Sequence, residues 1–136
     1  MNRADLQRLS NTRIREARAL FAARQYSGAY YLAGYAVECA LKACFAKTVR
    51  RYDFADIDRS KVFIHKFKDL AKLARLDSDL ELEQDHHSEF YAKWLLACLW
   101  IEHSRYAVWS KGEAQLLLNA IDDERNGVLA WIKQRW

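Results

Sequence analysis

With 136 residues, a net charge of +4, 51% apolar residues and 13% aromatic residues, the chain is long enough for one domain and rich enough in apolar side chains to exclude intrinsic disorder. Pro is absent and Gly occurs only four times, which withholds the turn chemistry of hairpins and sandwiches and points to an all-α fold. The opening residues lack a signal-peptide run and no apolar stretch is long enough to span a bilayer, so a single cytoplasmic domain over residues 1–136, with no membrane contact, is expected.

In chain order, the first predicted helix covers residues 5–24. Leu6, Leu9, Ile14, Ala17, Leu20 and Phe21 share one side, and Arg8, Arg15 and Arg18 lie largely opposite. Arg13 falls within the apolar side, where a guanidinium either snorkels outward or meets a buried carboxylate. Ser27 is the expected N-cap of a second helix running to about Thr48, apolar on nearly every face and therefore central. Gly34 in its interior implies that another helix approaches closely there. "RRYDFADIDRSK" reads as a surface connection.

A third helix is expected around "IHKFKDLAKLARL", with Phe67, Leu70, Leu73 and Leu76 buried. The acidic stretch "DSDLELEQDHH" reads as a loop. "SEFYAKWLLACLWIEHSRYAVW" reads as one long fourth helix packing through Phe90, Leu95, Cys98, Leu99 and Ile101. Ser110 and Glu113 form a capping-box pattern ahead of a fifth helix, "EAQLLLNAIDDERNGVLAWIKQRW". The aromatic residues of the fourth helix, Tyr91, Trp94, Trp100, Tyr106 and Trp109, spread around it, and the surplus apolar surface is expected to pair with a second copy across a twofold axis.

Charge is unevenly placed. Residues 1–51 carry ten Lys/Arg against three Asp/Glu, whereas 77–89 carry six Asp/Glu and no Lys/Arg. The basic part is either a solvated surface or a surface for nucleic acid or an acidic partner. Cys39, Cys44 and Cys98 form no CxxC pair and read as reduced core residues. His86 and His87 with Glu83 or Glu89 have the chemistry for a divalent metal, but adjacent histidines in a solvated loop more often hold none, and no metal site is assigned.

The second helix holds the most informative constellation. Ser27, Tyr31, Gly34, Glu38, Lys42 and Phe45 share a stripe at spacings of three and four, so Glu38 and Lys42 lie on one seam of an otherwise apolar helix. A buried Glu38 needs a cation, and Arg13 and Arg105 are the candidates. On that reading Glu38→Ala strands a buried guanidinium and destabilises more than Lys42→Ala. The seam is either a structural ion pair or one wall of a polar groove.

"ARALFAARQYSGAYYLAGYAVECALKACFAK", the His and "DL" of "IHKFKDLAKLARL", and "SRY" followed by "EAQLLLNAIDDERNGVLAWIK" together resemble the HEPN family of small helical domains. The resemblance spans most of the chain. It implies an up-and-down bundle of four to five helices, a homodimer, and RNA or nucleotide phosphate bound near the dimer seam. It also implies a partner such as a nucleotidyltransferase in a toxin–antitoxin or defence module, and no cofactor. Active members are metal-independent ribonucleases in which four to six residues separate an Arg from a following His, the His moving protons and the Arg stabilising the phosphorane.

Arg105 stands where that Arg is expected, but "RYAVWSKGE" places Ser110 and Lys111 where the His belongs. Arg59 and His65 match the spacing formally, at a different place in the chain. Two main readings follow. One is a weakly catalytic or non-catalytic module that binds RNA or nucleotide phosphates through Arg13, Lys42 and Arg105. The other is an endoribonuclease toxin using Arg105, Glu38 and a substitute such as His103. A purely structural helical adaptor is the third.

Overall fold

The computed structural model describes residues 1–49 and 64–136, and the "RRYDFADIDRSK" connection and Arg59 lie outside the described residues. Among the described residues there are seven α-helices and no strand: α1 (Arg3–Ala22), α2 (Tyr26–Thr48), α3 (Phe67–Leu73), α4 (Asp77–Asp85), α5 (Glu89–Ala97), α6 (Lys111–Asp122) and α7 (Val128–Lys133). A 3-10 turn, Glu102–Tyr106, lies between α5 and α6. The all-helical class expected from the absence of Pro and the scarcity of Gly is what the chain forms.

Asn2 opens α1 with a capping box, its side chain accepting from the Asp5 N–H while the Asp5 carboxylate accepts from the Asn2 N–H. α1 and α2 pack as an antiparallel hairpin because small residues meet between them. Ala17, Ala29, Ala33, Ala36 and Ala40 are fully buried, and the Ser10 hydroxyl donates to the Ala36 carbonyl at 2.8 Å. α2 is the central element and touches α1, α3, α6, α7 and the 3-10 turn. It starts at Tyr26 behind Gln25. Ser27 is thus not its cap; its hydroxyl accepts the Trp109 N–H at 2.9 Å.

Further expectations are corrected. The acidic stretch is helix α4, tied down by Arg135 on Asp79 at 2.9 Å and by the Trp131 indole N–H on Glu83 at 3.3 Å. The long fourth helix stops at Ala97, after which residues 98–110 form a strap across α2. Trp100 stacks on Phe67 and Tyr31 with ring centroids 5.3 and 5.7 Å apart, and Trp109 stacks on Tyr30. The neighbour that approaches Gly34 is therefore the Trp100 indole rather than a helix. With Trp94 and Trp100 taken into the core, Leu95, Leu99 and Ile101 are turned outward instead of packing, Leu99 at 70% exposure.

The predicted fifth helix is two helices, α6 and α7, separated at Asp123–Gly127. Ser110 and Glu113 cap α6 as expected. Asp123 then leaves the helix with extended backbone, and its carboxylate accepts the Arg125 N–H at 2.8 Å and the Lys93 ammonium at 2.9 Å. Gly127 closes the turn, where an added Cβ would lie 2.3 Å from the Asp123 carbonyl oxygen.

Lys93 and the Arg125 N–H hold the Asp123 carboxyl at about 2. Because this is below the unfolded value of about 4, the stabilisation is present above about pH 4 and is lost as pH falls towards 2. Melting temperatures measured across that window should fall more steeply for the wild type than for Asp123→Asn. Parallel profiles would show that the turn contributes nothing through this charge.

Candidate functional site: a buried carboxylate, a histidine and a cleft

Helix α2 brings Glu38 and Lys42 together one turn apart, as the spacing predicts. The Glu38 side chain is only 3% exposed, and its Oε1 accepts the Lys42 ammonium at 2.7 Å. The third member comes from the segment leading into α3. His65 Nδ1 lies 2.9 Å from the same Glu38 oxygen, and its Nε2 lies 3.3 Å from Oε2 of Glu102 on the 3-10 turn. The imidazole is thus held between a buried carboxylate and a half-exposed one. A neutral ring supplies one N–H for these two contacts, and an imidazolium supplies two.

This chain of contacts ends at an open cleft of about 360 Å³. It is lined by His65, Lys66, Asp69, Glu102 and His103, with Ile64 and Ile101 as its apolar part. Lys66 is exposed and makes no ion pair among the described residues. The cleft therefore offers one ammonium and two imidazoles against two carboxylates, a set suited to a phosphate whose oxygens accept from several donors.

Neither arginine expected to partner Glu38 does so. Arg13 Nη1 pairs with both oxygens of Glu16 at 2.6 Å, one turn along its own helix, and its guanidinium sits 5.9 Å over the Tyr35 ring. Arg105 is exposed and lies 4.7 Å over the Tyr106 ring, with no ion pair among the described residues. Its pKa is raised, first by Tyr106. His103 stands in the cleft while Arg105, two residues on, is not among the cleft's lining. The expected set thus divides: Glu38 holds Lys42 and His65, His103 lines the cleft that His65 enters, Arg105 lies on the same 3-10 turn as His103 but outside the cleft's lining, and Arg13 stands apart beside Tyr35.

The residues missed from the sequence are His65, noted there only for its place in the resemblance and its formal spacing from Arg59, and Glu102 and Lys66. The α3 N-cap is Lys66, without a side-chain bond, so His65 serves Glu38 instead. Burial pushes the Cys39 and Cys44 thiols up to about 11 and the Cys98 thiol to about 12. His87 forms the left-handed turn after α4, and no group of three or more metal-ligating side chains occurs among the described residues. No described helix is long and apolar enough to cross a membrane.

No protein-family model, curated protein or solved structure matches the chain.

Proposed function

We propose that the chain is a HEPN-like domain, an up-and-down bundle that binds RNA or nucleotide phosphate at the His65 cleft and the adjoining Arg105. It pairs as a homodimer and works with a partner protein such as a nucleotidyltransferase in a toxin–antitoxin or defence module. The observation that carries the binding role is the placement of His65. A carboxylate buried at real energetic cost, with Lys42 beside it, fixes an imidazole at the mouth of a cleft that also presents Lys66 and His103. Motifs resembling the family supply the rest of the reading, since Glu38, Lys42, His65 and Arg105 all fall within them. The outward-facing Leu95, Leu99 and Ile101 support pairing with a second copy.

Turnover of the family type is not proposed, because no His follows Arg105 across four to six intervening residues. A second reading, a metal-independent endoribonuclease, is favoured by one observation: two imidazoles, His65 and His103, line the same cleft. Against it stands Glu102, which already faces the nitrogen of His65 that a substrate proton would need.

The test is fluorescence anisotropy with a labelled single-stranded RNA, with an unlabelled nucleotide as competitor. Arg105→Ala, at an exposed position, should weaken saturable binding by about tenfold or more, the scale of a lost charge-assisted contact, with the melting temperature unchanged. Undiminished binding by Arg105→Ala and by Lys66→Ala would reduce the cleft to a structural feature and leave the adaptor reading.

A further inference from the structure

A second basic feature, on α1, shares no residue with the His65 cleft. At the helical repeat, Arg8, Asn11, Thr12, Arg15 and Arg18 occupy an arc of about 120° on α1, on the side opposite Arg13. Together with Lys133 of α7 they line an open cavity of about 480 Å³. Four cations, two neutral polar side chains and Ile14 line it, and no carboxylate among the described residues does.

The carboxylates stand behind the cations. Asp122 grips Arg18 through both Nε and Nη2, and Asp5 pairs with Arg8. Arg15 makes only a 3.4 Å contact with the Thr12 hydroxyl. Lys133 has no ion pair among the described residues and sits 5.5 Å from the Trp136 ring centroid. Its pKa is lowered, chiefly by burial, with Asp122 opposing and Arg18 adding to the shift. A half-buried ammonium sharing a cavity with the Arg15 guanidinium, which has no carboxylate partner among the described residues, is a site that an incoming anion would stabilise.

We propose that this groove binds the phosphodiester backbone of a nucleic-acid strand by charge rather than by base, with Arg15 and Lys133 neutralising phosphates between the anchored Arg8 and Arg18. The cations extend along about 15 Å of helix, which suits a row of phosphates better than one compact anion. Asn11 and Thr12 add neutral donors of the kind that contact phosphate oxygens. The acidic helix α4 of a second copy is the rival occupant. Its Asp79 and Glu83 are already engaged by Arg135 and Trp131. The choice of nucleic acid rests on the function proposed above, but the residues are different ones.

The experiment is RNA-binding anisotropy across a salt series with the full chain, using a mixed-sequence single strand. It compares wild type, Arg15→Gln/Lys133→Gln, and the control pair Lys68→Gln/Lys72→Gln, which removes the same charge from exposed positions on α3. The groove pair should weaken binding about tenfold and flatten the slope of log K against log salt by about 1.4, and the control pair should do much less. Should the groove pair melt early, Arg15→Gln alone carries the test with a slope change of about 0.7.

Equal effects of the two pairs, or none from the groove pair, would overturn the proposal. Binding that survives both Arg105→Ala and Lys66→Ala but fails in the groove pair would reject the cleft as the binding site and keep the groove. The opposite pattern would reject the groove alone. Self-association of the wild type that only the groove pair dissolves, seen by light scattering without any change in RNA binding, would assign the groove to a second copy and overturn the proposal.

Discussion

Gly34→Ala is expected to destabilise the protein by about 3 kcal/mol or more, lowering the melting temperature on the order of 10 °C. An added Cβ would lie 2.2–2.3 Å from three atoms of the Trp100 indole. The ring has nowhere to go, since it is almost fully buried and stacks on Tyr31 and Phe67. Its indole N–H is buried without an acceptor among the described residues, so packing against the bare backbone of α2 is what offsets that loss. Thermal melts of Gly34→Ala in the wild-type and Trp100→Leu backgrounds check the assignment. Alanine should be costly in the first and much milder in the second, and an equal cost in both would exclude the indole as the cause.

The second large effect falls on the buried pair of α2, in the reverse of the order expected when Arg13 or Arg105 was its partner. No guanidinium is buried there. The most deeply buried charged group is Glu38 itself, while Lys42 and His65 reach solvent, their side chains 20% and 29% exposed. Lys42→Met therefore strands a carboxylate, a change that costs about 3–5 kcal/mol in a sealed interior and about 2–3 kcal/mol here, where His65 still shares the oxygen. Glu38→Gln keeps an acceptor for both neighbours and should cost less. The double variant should be more stable than Lys42→Met alone, because it has no stranded charge. Urea denaturation of the three variants measures this, and additive losses would show that the two groups do not interact.

The parts of this fold legible in the sequence were those written in local chemistry. Missing Pro and scarce Gly gave the helical class, the apolar periodicity of α1 gave the first helix, and the all-round apolar character of α2 gave its central place. Ser110 and Glu113 marked the start of α6 through a local capping box. The breaks were hidden because this chain seldom uses Gly to make them. Arg24, Arg75 and His87 take left-handed backbone, with φ of 62°, 59° and 49°, just beyond α1, α3 and α4. Each is followed by an N–H that bonds back to the carbonyl five residues earlier, as Leu76 does to Ala71 at 2.9 Å. None of the three residues advertises a turn.

Tertiary packing hid the rest. Residues 98–110 have helical composition, yet Trp100 and Trp109 gain more by folding down onto α2 than by continuing α5, and this places Leu95, Leu99 and Ile101 outside. The same limit applies to the site. Glu38 and Lys42 are four residues apart and readable as a pair, whereas His65 reaches Glu38 across 27 residues of sequence and Glu102 arrives from still farther along the chain.

The most direct test of the account incubates end-labelled RNA with the purified chain in excess metal chelator and reads both retained complex and new ends on one gel. The expected result is a complex that Arg105→Ala weakens about tenfold, and no new ends with either protein. Chelator-resistant cleavage by the wild type that disappears in Arg105→Ala would contradict it and make the chain a ribonuclease. The absence of any complex would contradict the binding role itself.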